Sequence, residues 1–292
     1  MSIRKSNFSV PIKLSKPLSI GGIIMIDFLQ YDFIQRAIFI GIALAISAAM
    51  LSPFLVLNQQ AMIADGLAHV SFAGIILGIL LSNEPLIIAI PFVMIASLFI
   101  KYLSTTKSMN GDAAIGLVSS VAFAIGLILV KKGRGFNISI ESMLVGNIFT
   151  ATATDTLLSL LVAVLAIVFI LIFYRKLFLI TYDLDYAKFS KVQVTLLGYL
   201  LSGLTAFFIV VGVRTIGTLL ISALVVFPSV ISSQLTRSFK NTLLFGVISS
   251  LSIVILGIFV AHPLAIPVGS TIVVMYAILL ILIFIIKKVV RP

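Results

Sequence analysis

Asp65 and His69 stand four residues apart in the run Ala64-Asp65-Gly66-Leu67-Ala68-His69-Val70-Ser71-Phe72-Ala73-Gly74, which continues as Ile75-Ile76-Leu77-Gly78-Ile79-Leu80-Leu81. On a helix, i and i+4 share a face, so the carboxylate and the imidazole point the same way. An ionisable side chain in hydrocarbon costs roughly 2.5 kcal/mol or more on insertion scales, and such groups usually line a polar path or a site. Carboxylate oxygen and imidazole nitrogen together suit a divalent transition metal, which needs two or more further ligands. Asp65 also lies near the start of its apolar run, where an N-cap would occupy the same position without any chemistry.

The other histidine, His262, lies in Val260-Ala261-His262-Pro263-Leu264-Ala265-Ile266-Pro267-Val268-Gly269. The prolines mark a bend between two apolar runs. His262 reads either as an interfacial histidine with no ligand role or as a metal ligand near the outer mouth. Asp112, Glu141 and Asp155 fall at loop edges, where a solvated carboxylate is the ordinary outcome. The segment Thr181-Tyr182-Asp183-Leu184-Asp185-Tyr186-Ala187-Lys188-Phe189 alternates acidic and apolar residues. It suits a short amphipathic helix docked on a soluble partner, and equally an unengaged loop. No nucleophile elbow, H-E-x-x-H or paired intramembrane aspartates are present, so no catalytic set is expected. There is no G-x-x-x-x-G-K-(S/T) loop, which leaves ATP to another subunit. Cysteine is absent, which excludes disulfides, thiolate metal sites and iron–sulfur clusters.

The elements that must position these residues are membrane helices. The chain of 292 residues is 61% hydrophobic and 10% charged, with a mean hydropathy of +1.29. A soluble domain carries about 25% charged residues, so this is an all-α polytopic membrane protein. Spanning takes about 20 apolar residues. Windows of that kind fall at 33–57, 63–82, 85–103, 113–130, 154–174, 193–213, 215–235, 241–261 and 267–286. Eight or nine spans are expected, because Arg214 leaves almost no loop between the sixth and seventh windows and Pro228 interrupts the seventh. Both features suit discontinuous helices near a transport path. Gly74 with Gly78, and Gly212 with Gly217, suit close helix packing. The stretch 133–153 suits a short surface helix. Residues 1–30 read as a basic tail, with Arg4, Lys5, Lys13 and Lys16 but no cleavable signal, and Met25 is an alternative start. Residues 31–292 read as one transmembrane domain.

The net charge of +11 does not point to nucleic acid. Lys and Arg cluster at the ends of apolar runs, as topology signals and contacts to anionic membrane lipid. Arg175, Lys176, Lys188 and Lys191 assign the segment 175–191 to the cytoplasm, and Lys287, Lys288 and Arg291 agree. Counting back places Lys131, Lys132 and Arg134 outside, against the rule.

Several segments, in order, resemble the permease subunits of bacterial ABC importers for zinc, manganese and iron(II). They are Asp32-Phe33-Ile34-Gln35-Arg36-Ala37; Asp65 to Gly74, similar to the D-x-(L/I)-(S/A)-H motif followed by glycine; Gly111-Asp112-Ala113-Ala114-Ile115-Gly116; Ser142-Met143-Leu144-Val145-Gly146-Asn147-Ile148; Asp183-Leu184-Asp185-Tyr186-Ala187; and Val211 to Leu220 with Phe227-Pro228. The chain departs from the pattern at Asn58-Gln59-Gln60, where a basic pair is usual, and at Ala265, where an acidic residue is common. The resemblance implies ABC importer permease architecture in the bacterial cell membrane, with no enzyme activity and no bound cofactor. Zn2+, or Mn2+ or Fe2+, would be the transported substrate. It implies Asp65 and His69 as metal ligands, His262 as a local substitute at the final bend, and Asp183, Asp185, Tyr186, Ala187 and Phe189 as the contact with the ATPase. The implied partners are a cytoplasmic ATP-binding subunit, an extracytoplasmic metal-binding protein and a second copy of the chain. The form Asp65-Gly66-Leu67-Ala68-His69-Val70-Ser71 is more similar to zinc-type permeases, which makes zinc the expected substrate and manganese or iron(II) the alternative. A gradient-driven metal transporter would need more intramembrane carboxylates than Asp65.

Overall fold

A computed structural model describes residues 30–82, 84–105, 109–132 and 146–290. The tail before residue 30, Glu141 and Ser142 to Val145 lie outside the described residues, as does most of the expected surface helix. Ten α-helices and one short 3-10 turn make up the described secondary structure. They are α1 (Asp32–Val56), α2 (Ile63–Leu81), α3 (Pro85–Thr105), α4 (Gly111–Lys132), the 3-10 turn Ile148–Thr150, α5 (Ala153–Tyr182), α6 (Leu184–Phe189), α7 (Val194–Ile216), α8 (Thr218–Leu235), α9 (Phe239–Leu264) and α10 (Val268–Val290). Among the described residues, nine of these helices are long and apolar enough to cross a membrane, and α6 is not. In hydrocarbon only a helix satisfies its own backbone, which is why uninterrupted apolar runs take this form.

The helices form two groups joined by a bridge. α1 packs against α5 and α9, and α2 packs against α3 and α4, while α7 and α8 touch both α1 and α2. α1 and α2 are mostly buried, whereas α3, α4, α5 and α10 turn most of their surface outward. Apolar residues on every side are needed for both situations, core and lipid, so amphipathic periodicity is weak.

Three details differ from the sequence expectation. α5 is 30 residues long and runs through Arg175 and Lys176. With neither glycine nor proline between Ala153 and Tyr182, nothing stops the helix, so the segment 175–191 is largely helical. The α7–α8 junction is a sharp corner at a single residue, Gly217, with φ of 84°, where only glycine is at ease. α8 also stays helical through Pro228. The helix departs from regular bonding beside that proline: the Ser229 N–H donates to Ser52 Oγ of α1 at 3.1 Å.

The expected glycine packing is present. Gly74 lies against Ala89 and Phe92, Gly78 against the Pro85 backbone, and Gly212 against Ile221. The described part of 133–153 holds the 3-10 turn Ile148–Thr150 and the start of α5.

Candidate metal site on the open face of α2

α2 buries nearly all of its first three turns, and Asp65 and His69 are the exceptions. Their side chains are 54% and 34% exposed, on a helix whose residues from Gly66 to Ala68 and Val70 to Ile76 are buried. Gly66 lets α4 approach closely, since a Cβ there would collide with Ile115. That approach brings Phe123 of α4 over the His69 ring, with centroids 4.8 Å apart. Phe123 also packs on Phe72 at 5.3 Å. Sequence reasoning missed Phe123 because a phenylalanine in an apolar helix carries no distinguishing signal.

His69 Nε2 lies 3.8 Å from Asp65 Oδ2, too far for a hydrogen bond. His69 Nδ1 is buried without a hydrogen-bond partner. An orphaned buried polar atom of this kind costs about 1–3 kcal/mol. Zinc sits about 2.0–2.2 Å from such O and N ligands, so two atoms 3.8 Å apart can both touch one ion of that size. Among the described residues no group of three or more His, Asp or Glu converges. One chain therefore presents two candidate ligands here. Asp65 lies in the first turn of α2 but its N-cap position is Met62, with no side-chain cap.

The structure places His262 elsewhere. It sits in the last turn of α9, with ring centroids 5.7 Å from Phe149 and 6.4 Å from Phe33. The helix continues through Pro263, and the bend comes at Ala265, which is left-handed with φ of 52°. His262 lines a cavity of about 460 Å³ together with Gly146, Ile216, Leu220 and Pro267. That cavity is at the opposite end of the helices from α6, whereas Asp65 and His69 are in the α6-side turns of α2.

Asp155 overturns the expectation of a solvated carboxylate. Its side chain is 6% exposed and its Oδ1 accepts from Arg214 Nε at 2.8 Å. Oδ2 accepts from the N–H and the hydroxyl of Thr152 at 2.9 and 2.8 Å, and the Thr152 hydroxyl accepts from Asp155 N–H in a capping box. The pair ties the start of α5 to the end of α7. Asp112, in the first turn of α4, is exposed as expected.

α6 takes the short-helix form anticipated for 181–189. Asp183 caps it by accepting from Tyr186 N–H at 2.8 Å, and Asp185 pairs with Lys188 at 3.2 Å. Ala187 is fully buried and pins α6 to the body, while Tyr182, Tyr186 and Phe189 are exposed, Phe189 by 83%. Tyr186 and Phe189 thus face away from the chain that carries them, while Tyr182, at the end of α5, also packs on Phe178 at 4.7 Å.

Among the described residues, nine apolar helices, with a polar pair on an inner helix and a short helix bearing exposed aromatics at one end, make this a multi-pass membrane protein. The sequence matches the ABC 3 transport family over residues 30–287, and the chain belongs to that family. It is 30% identical over 257 residues to "Manganese import system permease protein ScaB" of Streptococcus parasanguinis, covering 87% of this chain and 91% of that one. It is 28% identical over 228 residues to "Manganese transport system membrane protein MntC" of Halalkalibacterium halodurans, covering 77% and 78%. Among solved structures it is similar to PsaBC from Streptococcus pneumoniae in complex with Fab, with a TM-score of 0.79, 27% identity, and 90% and 95% of the two chains covered.

Proposed function

We propose that this chain is the membrane permease of an ABC importer for a divalent metal, manganese foremost, and that Asp65 and His69 are its ligands to the ion in transit. The observation that carries this reading is the half-site on α2: a carboxylate and an imidazole left open on an otherwise buried helix, with one ring nitrogen lacking any partner. The relatives' names favour manganese over the zinc suggested by the Asp65 to Ser71 wording. Carboxylate and imidazole without thiolate suit manganese, but by the Irving–Williams order the same ligands hold zinc more tightly. Selection for manganese would then rest on geometry and on the metal-binding protein that delivers it.

Two ligands per chain leave a metal under-coordinated. A second copy facing the first across α2 would supply the other two, so the transporting unit is a pair of chains. His262 lies at the outer mouth in the orientation set by the Lys/Arg distribution, and is proposed as an entry contact separate from the Asp65–His69 site. α6 would engage the ATP-binding subunit through Tyr182, Tyr186 and Phe189, since aromatic anchors dominate interface energetics. A gradient-driven mechanism finds little support: Asp155, the one buried carboxylate among the described residues, is already held by Arg214.

Manganese and zinc uptake measured side by side in a strain lacking its own importers tests the reading. Manganese accumulation that depends on Asp65, on His69 and on a co-expressed ATPase, and that excess zinc suppresses, is the expected result. Zinc accumulation without manganese would restore the zinc reading. Uptake of neither would remove metal as the substrate.

A further inference from the structure

A cavity of about 230 Å³ lies at the α6 end, between the α1–α2 loop, α3, the end of α5 and the start of α7, with Leu177, Ile180, Leu197 and Leu201 among its apolar lining. Asn58, Gln60, Lys101, Thr105, Thr181 and Thr195 supply its polar lining, and Leu184 of α6 forms part of its wall. Lys101 is one turn from the end of α3. A lysine there would ordinarily extend its ammonium to water along the helix axis. This one turns inward against α7: a Cβ at Gly198 would meet Lys101 Cε at 2.9 Å and Nζ at 3.4 Å. The missing side chain at 198 is the space the lysine uses.

Among the described residues Lys101 Nζ has neither a carboxylate within ion-pair distance nor a hydrogen-bond acceptor. The acidic groups at this end are otherwise engaged or remote from the lining: Asp65 faces His69, Asp183 caps α6, Asp185 meets Lys188, and Asp112 opens α4. The residues that follow α3, Thr106-Lys107-Ser108, include no acid. The Gln60 amide and the Thr195 hydroxyl also lack partners among the described residues. Lys101 and Gln60 are half-buried and Thr195 is exposed, and the donor groups of all three line one space. With a water's share of volume near about 30 Å³, the cavity has room for a phosphate ester.

We propose that this cavity binds a phosphate-bearing anion, with Lys101 as its counter-charge and Gln60 and Thr195 as hydrogen-bond donors. Its position among the basic residues of the cytoplasmic boundary makes an anionic lipid headgroup or free cytoplasmic phosphate the source. The occupant would brace the α1–α2 loop, which leads to Asp65, against the base of α6. It would thereby tie the conformation of the metal-bearing helix to that of the helix exposed for docking.

The test is the thermal midpoint of the full chain in detergent at constant ionic strength. It is titrated separately with inorganic phosphate, with dioctanoyl phosphatidylglycerol, and with dioctanoylglycerol, which has the same acyl chains and no phosphate. The midpoint of the wild type should rise saturably with one or both phosphate compounds and stay flat with dioctanoylglycerol. Lys101→Met keeps the packing stem and should raise the half-saturating concentration about 10-fold or more, the scale of one charge-assisted hydrogen bond. Lys101→Arg should stay within a few-fold of wild type. A response to the lipid alone identifies a headgroup site, and a response to both identifies the phosphate group itself as sufficient. Wild type that responds to neither, a response to dioctanoylglycerol equal to that of the phospholipid, or a Lys101→Met protein that titrates like wild type would each overturn the proposal. Should Lys101→Met fail to fold, Thr195→Val and Gln60→Leu take its place, and unchanged half-saturation in both overturns it equally.

Discussion

Asp65 and Asp155 are both acidic residues in the first turn of a membrane helix, and both face a basic side chain. Their surroundings are opposite. Asp155 is buried, both of its oxygens are hydrogen-bonded, and Arg214 binds it at 2.8 Å. Asp65 is more than half exposed, and its histidine stands 3.8 Å away with a ring nitrogen unpartnered. A buried charge must be paired and hydrogen-bonded or it destabilises the fold, and Asp155 meets that demand completely. Such a group has no capacity left for a ligand. The Asp65–His69 pair contributes little to the fold and keeps its capacity, which the proposed transport role requires.

The contrast can be broken at either end. The largest effect is expected from Asp65→Ala or His69→Ala, which should reduce metal uptake to background while leaving membrane levels and thermal midpoint unchanged. Full uptake by either variant at limiting metal would move the path away from α2. Next, Tyr186→Ala combined with Phe189→Ala should cut ATP hydrolysis and co-purification of the ATP-binding subunit by about 10-fold or more, as for loss of interface anchors. Because both side chains are exposed, the stability of the isolated chain should not change, and retained coupling would remove α6 from the docking role.

The buried pair should behave in the reverse way. Asp155→Ala is expected to lower stability by about 2–3 kcal/mol, at the low end for a buried ion pair because Arg214 is part-exposed. Unfolding in mixed micelles measures this. A loss confined to uptake, with stability intact, would make Asp155 a second functional carboxylate. Gly146→Ala tests the same end through packing. Gly146 has φ of 69° and a Cβ there would strike the Ile216–Gly217 backbone, so about 1–3 kcal/mol should be lost. The smallest effect belongs to Ser52→Ala, which removes the acceptor for Ser229 N–H at a cost of about 1 kcal/mol. A neutral result would show that water replaces it.

Much of this arrangement was readable before the fold. The nine apolar windows coincide with nine helices, because span length and hydropathy are local properties that the bilayer itself imposes. The shared face of Asp65 and His69 follows from four-residue spacing alone. The alternating acidic and apolar residues of 181–189 suit a short helix and a loop equally, and the structure takes the helix at 184–189. The extent of α5 was misread because Arg175 and Lys176 mark a membrane boundary, and a charge that ends a hydrophobic window does not end a helix.

By itself, then, the sequence determined where the apolar spans lie, the face shared by the Asp65–His69 pair, and the absence of any thiolate ligand. Tertiary structure decided which ionisable groups are spent and which are free. Asp155 finds Arg214 across 59 residues only because α5 and α7 pack together, and its sequence neighbourhood looks like any loop edge. Phe123 covers His69 because Gly66 lets α4 approach, and Lys101 turns inward because residue 198 has no side chain. Helix formation depends on neighbours a turn away. Pairing, burial and exposure depend on which helices meet, and no local pattern encodes that.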